Sequence, residues 1–120
     1  MTKKVLAAFD KCKDSLAASE LCKLTQKTLE SRVGQYSVDI VPLSDGGEGF
    51  VEILTTVVSG ELLPFSAADS LGKKKEILVG VCELNNLPRL AKDFLKLPDE
   101  GKIGIIEMAS IVGLADLSVE

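Results

Sequence analysis

The chain reads as an α/β protein: the start of a doubly wound parallel sheet, followed by the start of a second, mixed α/β domain. Three observations predict this. Val5-Leu6-Ala7-Ala8-Phe9 is a short continuous apolar run, the pattern of a strand buried on both faces of a parallel sheet. A stripe of apolar positions at steps of three and four follows it, which is the period of a helix. After Gly60 the pattern changes to two strand-like runs around a turn, with no helix between them, and such neighbours pair antiparallel.

Each element follows in order. The first strand ends at Asp10. Between about residues 18 and 33, Ala18, Leu21, Cys22, Thr25, Leu29 and Val33 line one helical face, with Glu20, Lys23, Lys27 and Glu30 outside it. Glu20 suits a capping box, but Ala17 stands where the box needs a hydroxyl. Gly34 is placed as the C-cap. Ser37 to Leu43 reads as a second strand, with Pro42 marking where pairing stops. An apolar helix is expected from about Gly49 to Val58. Then Glu61 to Ala67 and Lys75 to Glu83 flank Asp69-Ser70-Leu71-Gly72, a turn-rich tetrapeptide. Pro88 to Leu97 reads as a short amphipathic helix, Lys102 to Met108 as another strand, and Ala109 to Leu117 as the start of a helix. Composition places a boundary near residues 60 to 68.

Composition narrows the function. The 120 residues are 46% apolar and only 4% aromatic, so the core is aliphatic. The net charge of -4, spread along the chain, gives no electrostatic support for nucleic acid or an anionic membrane. There is no histidine, which excludes Ser-His-Asp and Cys-His catalysis and histidine-ligated zinc within these residues. Cys12, Cys22 and Cys82 have no metal-type spacing. Their odd number, with no signal peptide, predicts a reducing cytoplasm. The chain stops at ADLSVE, directly after a patterned apolar segment, and this predicts a piece of a longer protein.

Two polar corners stand out. Asp10-Lys11-Cys12-Lys13-Asp14-Ser15 follows the first strand, at the sheet edge where open α/β proteins bind ligands. Lys13 there suits a phosphate or carboxylate, and Asp10 suits magnesium or a hydroxyl proton. From spacing alone, a solvated loop with two stray lysines is the plainer reading of the same residues. The second corner, Ser44-Asp45-Gly46-Gly47-Glu48-Gly49, also joins a strand to a helix. Its glycines let backbone approach a ligand, and the following helix would offer N–H groups to an anion. Asp45 and Glu48 would repel a bare anion, so a phosphate–magnesium pair or a hydroxyl-bearing substrate fits better. The plainer reading is a tight turn with Glu48 near a helix N-terminus. Gly72-Lys73-Lys74 is not a P-loop, because Ala67 and Lys74 stand where that motif needs glycine and a hydroxyl. Glu107, ending an apolar strand, needs a partner if buried.

With both corners in view, the chain resembles the N-terminal part of the type 1 glycerate kinases. AAFDKCKDSLAA is similar to that family's signature after the first strand. PLSDGGEGF is similar to its Pro-x-x-Asp-Gly-Gly-Glu-Gly signature, and IEMASIVGLADL to its Ile-Glu-Met-Ala-x-x-x-Gly-Leu segment. Cys12 replaces a usual Phe, Ala17 a usual small hydroxyl residue, and the turn at Asp69 lacks its proline. The segment from Leu84 to Glu100 looks longer than usual. The resemblance implies a discontinuous Rossmann- or flavodoxin-like first domain, begun by residues 1–65, and a second α/β domain begun by residues 66–120. A second glycine-rich segment of the family is absent from these residues. The implied activity is ATP-dependent phosphorylation of a glycerate hydroxyl, with ATP and Mg2+. Asp10, Lys13 and Asp45 are the implied catalytic residues; Ser44, Gly46, Gly47 and Glu48 the implied substrate contacts. Asp45 or Asp10 is the implied metal ligand. The partners implied are small molecules, with room for a homo-oligomer of the full-length protein. The alternative is a non-catalytic α/β ligand-binding or scaffold module.

Overall fold

The computed structural model describes residues 1–113. They form two compact units, divided between Asp45 and Gly46. No helix among the described residues is long and apolar enough to cross a membrane.

The first unit holds β1 (Lys3–Phe9), α1 (Ala18–Glu30) and β2 (Tyr36–Pro42). β1 and β2 pair in parallel, from Lys3↔Tyr36 to Phe9↔Pro42, and α1 packs on both. Side chains alternate across the pair. Ala7 and Val38 face the helix and are buried with Ala18 and Cys22. The Cys22 thiol donates to the Ala7 carbonyl at 3.4 Å. Leu6, Ala8, Asp39 and Val41 lie on the opposite face and are exposed. Two-sided burial of the first strand is therefore corrected: Leu6 keeps 64% of its surface, because this unit supplies one helix and hence one cover.

The ends of α1 also differ from expectation. Glu20 Oε2 accepts the Ala17 N–H at 3.1 Å, which is half of a capping box; alanine has no oxygen for the other half. The helix stops at Glu30, three residues before the stripe predicted. Gly34 (φ +73°) serves the turn that follows, closed by Gln35 N–H on the Arg32 carbonyl at 3.0 Å, and Val33 is 92% exposed. On its strand-facing side, α1 reaches the margin of β2. Gln26 Nε2 donates to the Val38 carbonyl at 2.8 Å, and Glu30 Oε1 accepts the Val38 N–H at 3.1 Å.

The second unit holds α2 (Phe50–Val57), β3 (Glu61–Ala68), β4 (Lys74–Glu83), α3 (Arg89–Leu95), β5 (Lys102–Ile105) and α4 (Met108–Val112). The sheet order is β3-β4-β5, antiparallel throughout. The β3–β4 turn is built by Asp69, whose Oδ1 accepts the N–H groups of Leu71 and Lys73 at 2.9 and 2.8 Å. The side chain thus replaces the missing proline as the organiser of the turn. Val51 and Thr55 of α2 are buried, as are Ile77 and Cys82 of β4. Gly80 allows the close approach, since a Cβ there would overlap Thr55 Oγ1. The Thr55 hydroxyl is buried without a hydrogen-bond partner among the described residues.

Two further expectations change. The apolar residues of α3 stay on the surface, Leu90 and Phe94 being exposed, so the helix does not bury an apolar face. β5 ends at Ile105 rather than running on to Met108, and Ile106 and Met108 are exposed. α4 covers Met108–Val112, and the remainder of the helix expected to Leu117 lies outside the described residues. By contact, α2 and β3 group with the second sheet.

Candidate functional site

The last rung of the parallel pair is the Leu43 N–H on the Phe9 carbonyl, at 2.9 Å. Beyond that rung the two strands release Asp10 on one side and Ser44-Asp45 on the other. Parallel pairing puts both exits at one carboxyl edge, the place where such sheets receive ligands. Asp10 and Ser44-Asp45 thus leave the first unit from one rim.

The first corner is held by short-range bonds. Asp10 Oδ1 accepts the Lys11 N–H at 2.7 Å. Cys12 donates to the Leu16 carbonyl at 2.8 Å, and the Cys12 carbonyl accepts from Ser15 and Leu16 at 3.0 and 3.1 Å. The loop closes through Asp14 at φ +58°, a conformation that a short polar side chain tolerates. Lys13 sits in this turn and is exposed, as is Asp10. An exposed ammonium ion on a closed loop suits an incoming anion as a point charge.

The glycine turn belongs to the second unit. Gly46 and Gly49 have φ of +94° and +93°, and a Cβ at either would meet no atom within 4 Å. These glycines are required by backbone conformation, not by crowding. Gly49 is the N-cap of α2. Its N–H and that of Val51 donate to Glu107 Oε2 at 3.1 and 3.3 Å. Glu107 is only 4% exposed. The expectation that α2 offers these amides to an external anion is corrected, because a carboxylate of the chain already holds them. The need of Glu107 for a partner was legible in its place at the end of an apolar strand. The partner, 58 positions away, had no local signal.

Elsewhere in the second unit, Ser59, Gly60, Cys82, Glu83 and Lys102 help line a recess of about 240 Å³ that contains none of the predicted residues. Burial, and then the charge of Glu83, push the Cys82 thiol up from its ordinary value of 9.0. It is therefore a core group rather than a nucleophile. Among the described residues no three His, Cys, Asp or Glu side chains gather as a metal cage.

The family model described as "Glycerate kinase family" matches residues 5–120. A glycerate kinase of Haemophilus influenzae is 30% identical over 111 residues, 92% of this chain and 25% of the relative. A glycerate kinase of Bacillus cereus and a glycerate 2-kinase of Escherichia coli are each 29% identical over the same shares. The chain therefore spans about a quarter of the length of these relatives. A crystal structure described as a glycerate kinase 2 of Salmonella typhimurium LT2 superimposes with a TM-score of 0.57 at 26% identity, over 67% of this chain and 21% of that one.

Proposed function

Because the chain belongs to the glycerate kinase family, we propose that the intact protein transfers the γ-phosphoryl group of ATP to a hydroxyl of glycerate, giving phosphoglycerate and ADP in the cytoplasm. The observation that carries the reading is the shared exit of Asp10 and Ser44-Asp45 beyond the Phe9–Leu43 rung. In this reaction the glycerate oxygen bonds to the γ-phosphorus as the bridging P–O bond to ADP breaks, and the hydroxyl proton leaves to a base. Little covalent chemistry is asked of the protein; positioning and charge neutralisation dominate.

Each residue has a role in this reading. Lys13 neutralises the glycerate carboxylate or the phosphoryl group in flight. Asp45 orients the acceptor hydroxyl and takes its proton, with Asp10 the rival for that place. Ser44, Gly46, Gly47 and Glu48 contact the substrate. Magnesium commonly takes one or two protein carboxylates, completing its shell with phosphate oxygens and water. Asp45 or Asp10 alone fits that mode without a three-ligand cage, and the ion would supply neutralising charge. Residues 1–65 begin the first domain of the intact enzyme and residues 66–120 the second.

The test is an ADP-release assay with glycerate, run on the intact protein and on this chain alone. Turnover by the intact protein is expected, and none by residues 1–120. Binding of glycerate without turnover in the intact protein would favour a non-catalytic ligand-binding module. Robust turnover by the 120-residue chain would overturn the two-domain division.

A further inference from the structure

A helix leaves its first four amides without intrahelical partners, and its dipole adds partial positive charge there. At α2 three of those amides are already bound within the chain: Gly49 and Val51 by Glu107 Oε2, and Phe50 by the Gly47 carbonyl at 3.1 Å. Glu107 is not a stray acid that happens to reach them. It caps α4, and its carbonyl accepts both the Ser110 hydroxyl at 2.7 Å and the Ser110 N–H at 3.3 Å. Its backbone is thus fixed at the end of β5 while its buried carboxylate spans to the glycine turn.

We infer that Glu107 is the resident anion of the glycine turn, a positioning residue that makes the turn a reader of hydroxyl groups rather than of phosphate or carboxylate. An external anion needs donors, and three of the four that a helix start would lend it are taken. It would also meet the resident carboxylate, and the turn carries the acidic Asp45 and Glu48 in sequence. A neutral alcohol has the opposite preference, because its O–H donates to a carboxylate acceptor. On the proposed phosphotransfer, to which this last step is tied, the turn receives the alcohol end of glycerate. The anionic ends of both substrates then fall to cations outside the turn.

The test is amide NMR on the protein labelled with 15N-glycine and 15N-valine, titrated with inorganic phosphate. In the wild type the Gly49 and Val51 amides are expected not to move. Glu107→Ala should shift both amides before phosphate is added and then give them a saturable response, with affinity at least about tenfold above wild type. Glu107→Gln keeps an acceptor carbonyl, so it should retain the wild-type turn shifts and show a weaker response. A saturable wild-type response at these two amides overturns the inference, and so do unchanged amides in both variants. If Glu107→Ala fails to fold, the wild type and Glu107→Gln still decide. In the intact protein, Glu107→Gln should raise KM for glycerate while leaving KM for ATP. Absence of any glycerate turnover would remove the kinase reading and leave the amide result standing.

Discussion

The two polar corners solve the same problem by different means. The Asp10–Leu16 corner closes on itself, with the Cys12 and Leu16 backbones bonded to each other. The Gly46–Gly49 turn is bound instead by a carboxylate 58 residues further along. A locally closed loop forms as soon as its own residues are made. A loop tied to a distant residue gains its shape only after β5 and α4 are in place, since long-range contacts follow costly chain closure. The lesson is that the turn with the most specific sequence is the one least able to fold alone.

Substitutions can break or sharpen this contrast. Glu107→Ala should have the largest effect on stability, about 3 kcal/mol, because it orphans two amides at roughly 1–3 kcal/mol each. Asp10→Ala, which removes one exposed bond, should stay within about 1 kcal/mol. Urea denaturation measures both, and equal losses would erase the contrast. Gly49→Ala should come next, at about 1–2 kcal/mol, since any other residue is strained at φ +93°; an unchanged midpoint would remove the conformational argument. Lys13→Ala or Asp45→Asn in the intact protein should cut turnover at least tenfold, about 1.4 kcal/mol or more. Near-normal turnover in both would take them off the catalytic list. The smallest effect has the opposite sign: Ala17→Ser should complete the capping box and stabilise the protein by about 1 kcal/mol. A thermal scan that shows no gain would mean that the Glu20 bond to Ala17 already suffices.

Much of the fold was legible because side-chain period reports backbone type. Both strands of the parallel pair, the hairpin at Asp69 and the helix after the glycine turn lie close to where apolar runs and turn chemistry place them. The failures share a cause. Burial depends on which covering elements are present, and Leu6, Leu90 and Phe94 are apolar yet exposed in these units. Gly34 is a stop signal in either a C-cap or a turn, and local sequence does not distinguish the two. At the candidate site, the common rim of Asp10 and Asp45 followed from parallel pairing. The holder of the glycine turn did not, because nothing in the spacing of Gly49 and Glu107 encodes their contact.

The grip of Gln26 and Glu30 on Val38 has a consequence for assembly. It satisfies both backbone groups of a residue in the middle of β2, on the margin turned away from β1. A newcomer strand would have to break both bonds before it could add there, so lateral growth from that side is discouraged. Widening of this parallel ribbon is left to the opposite border, along Lys4, Leu6 and Ala8. The helix therefore acts as a selvedge, giving a two-strand fabric one finished side and one side to which further strands can be joined.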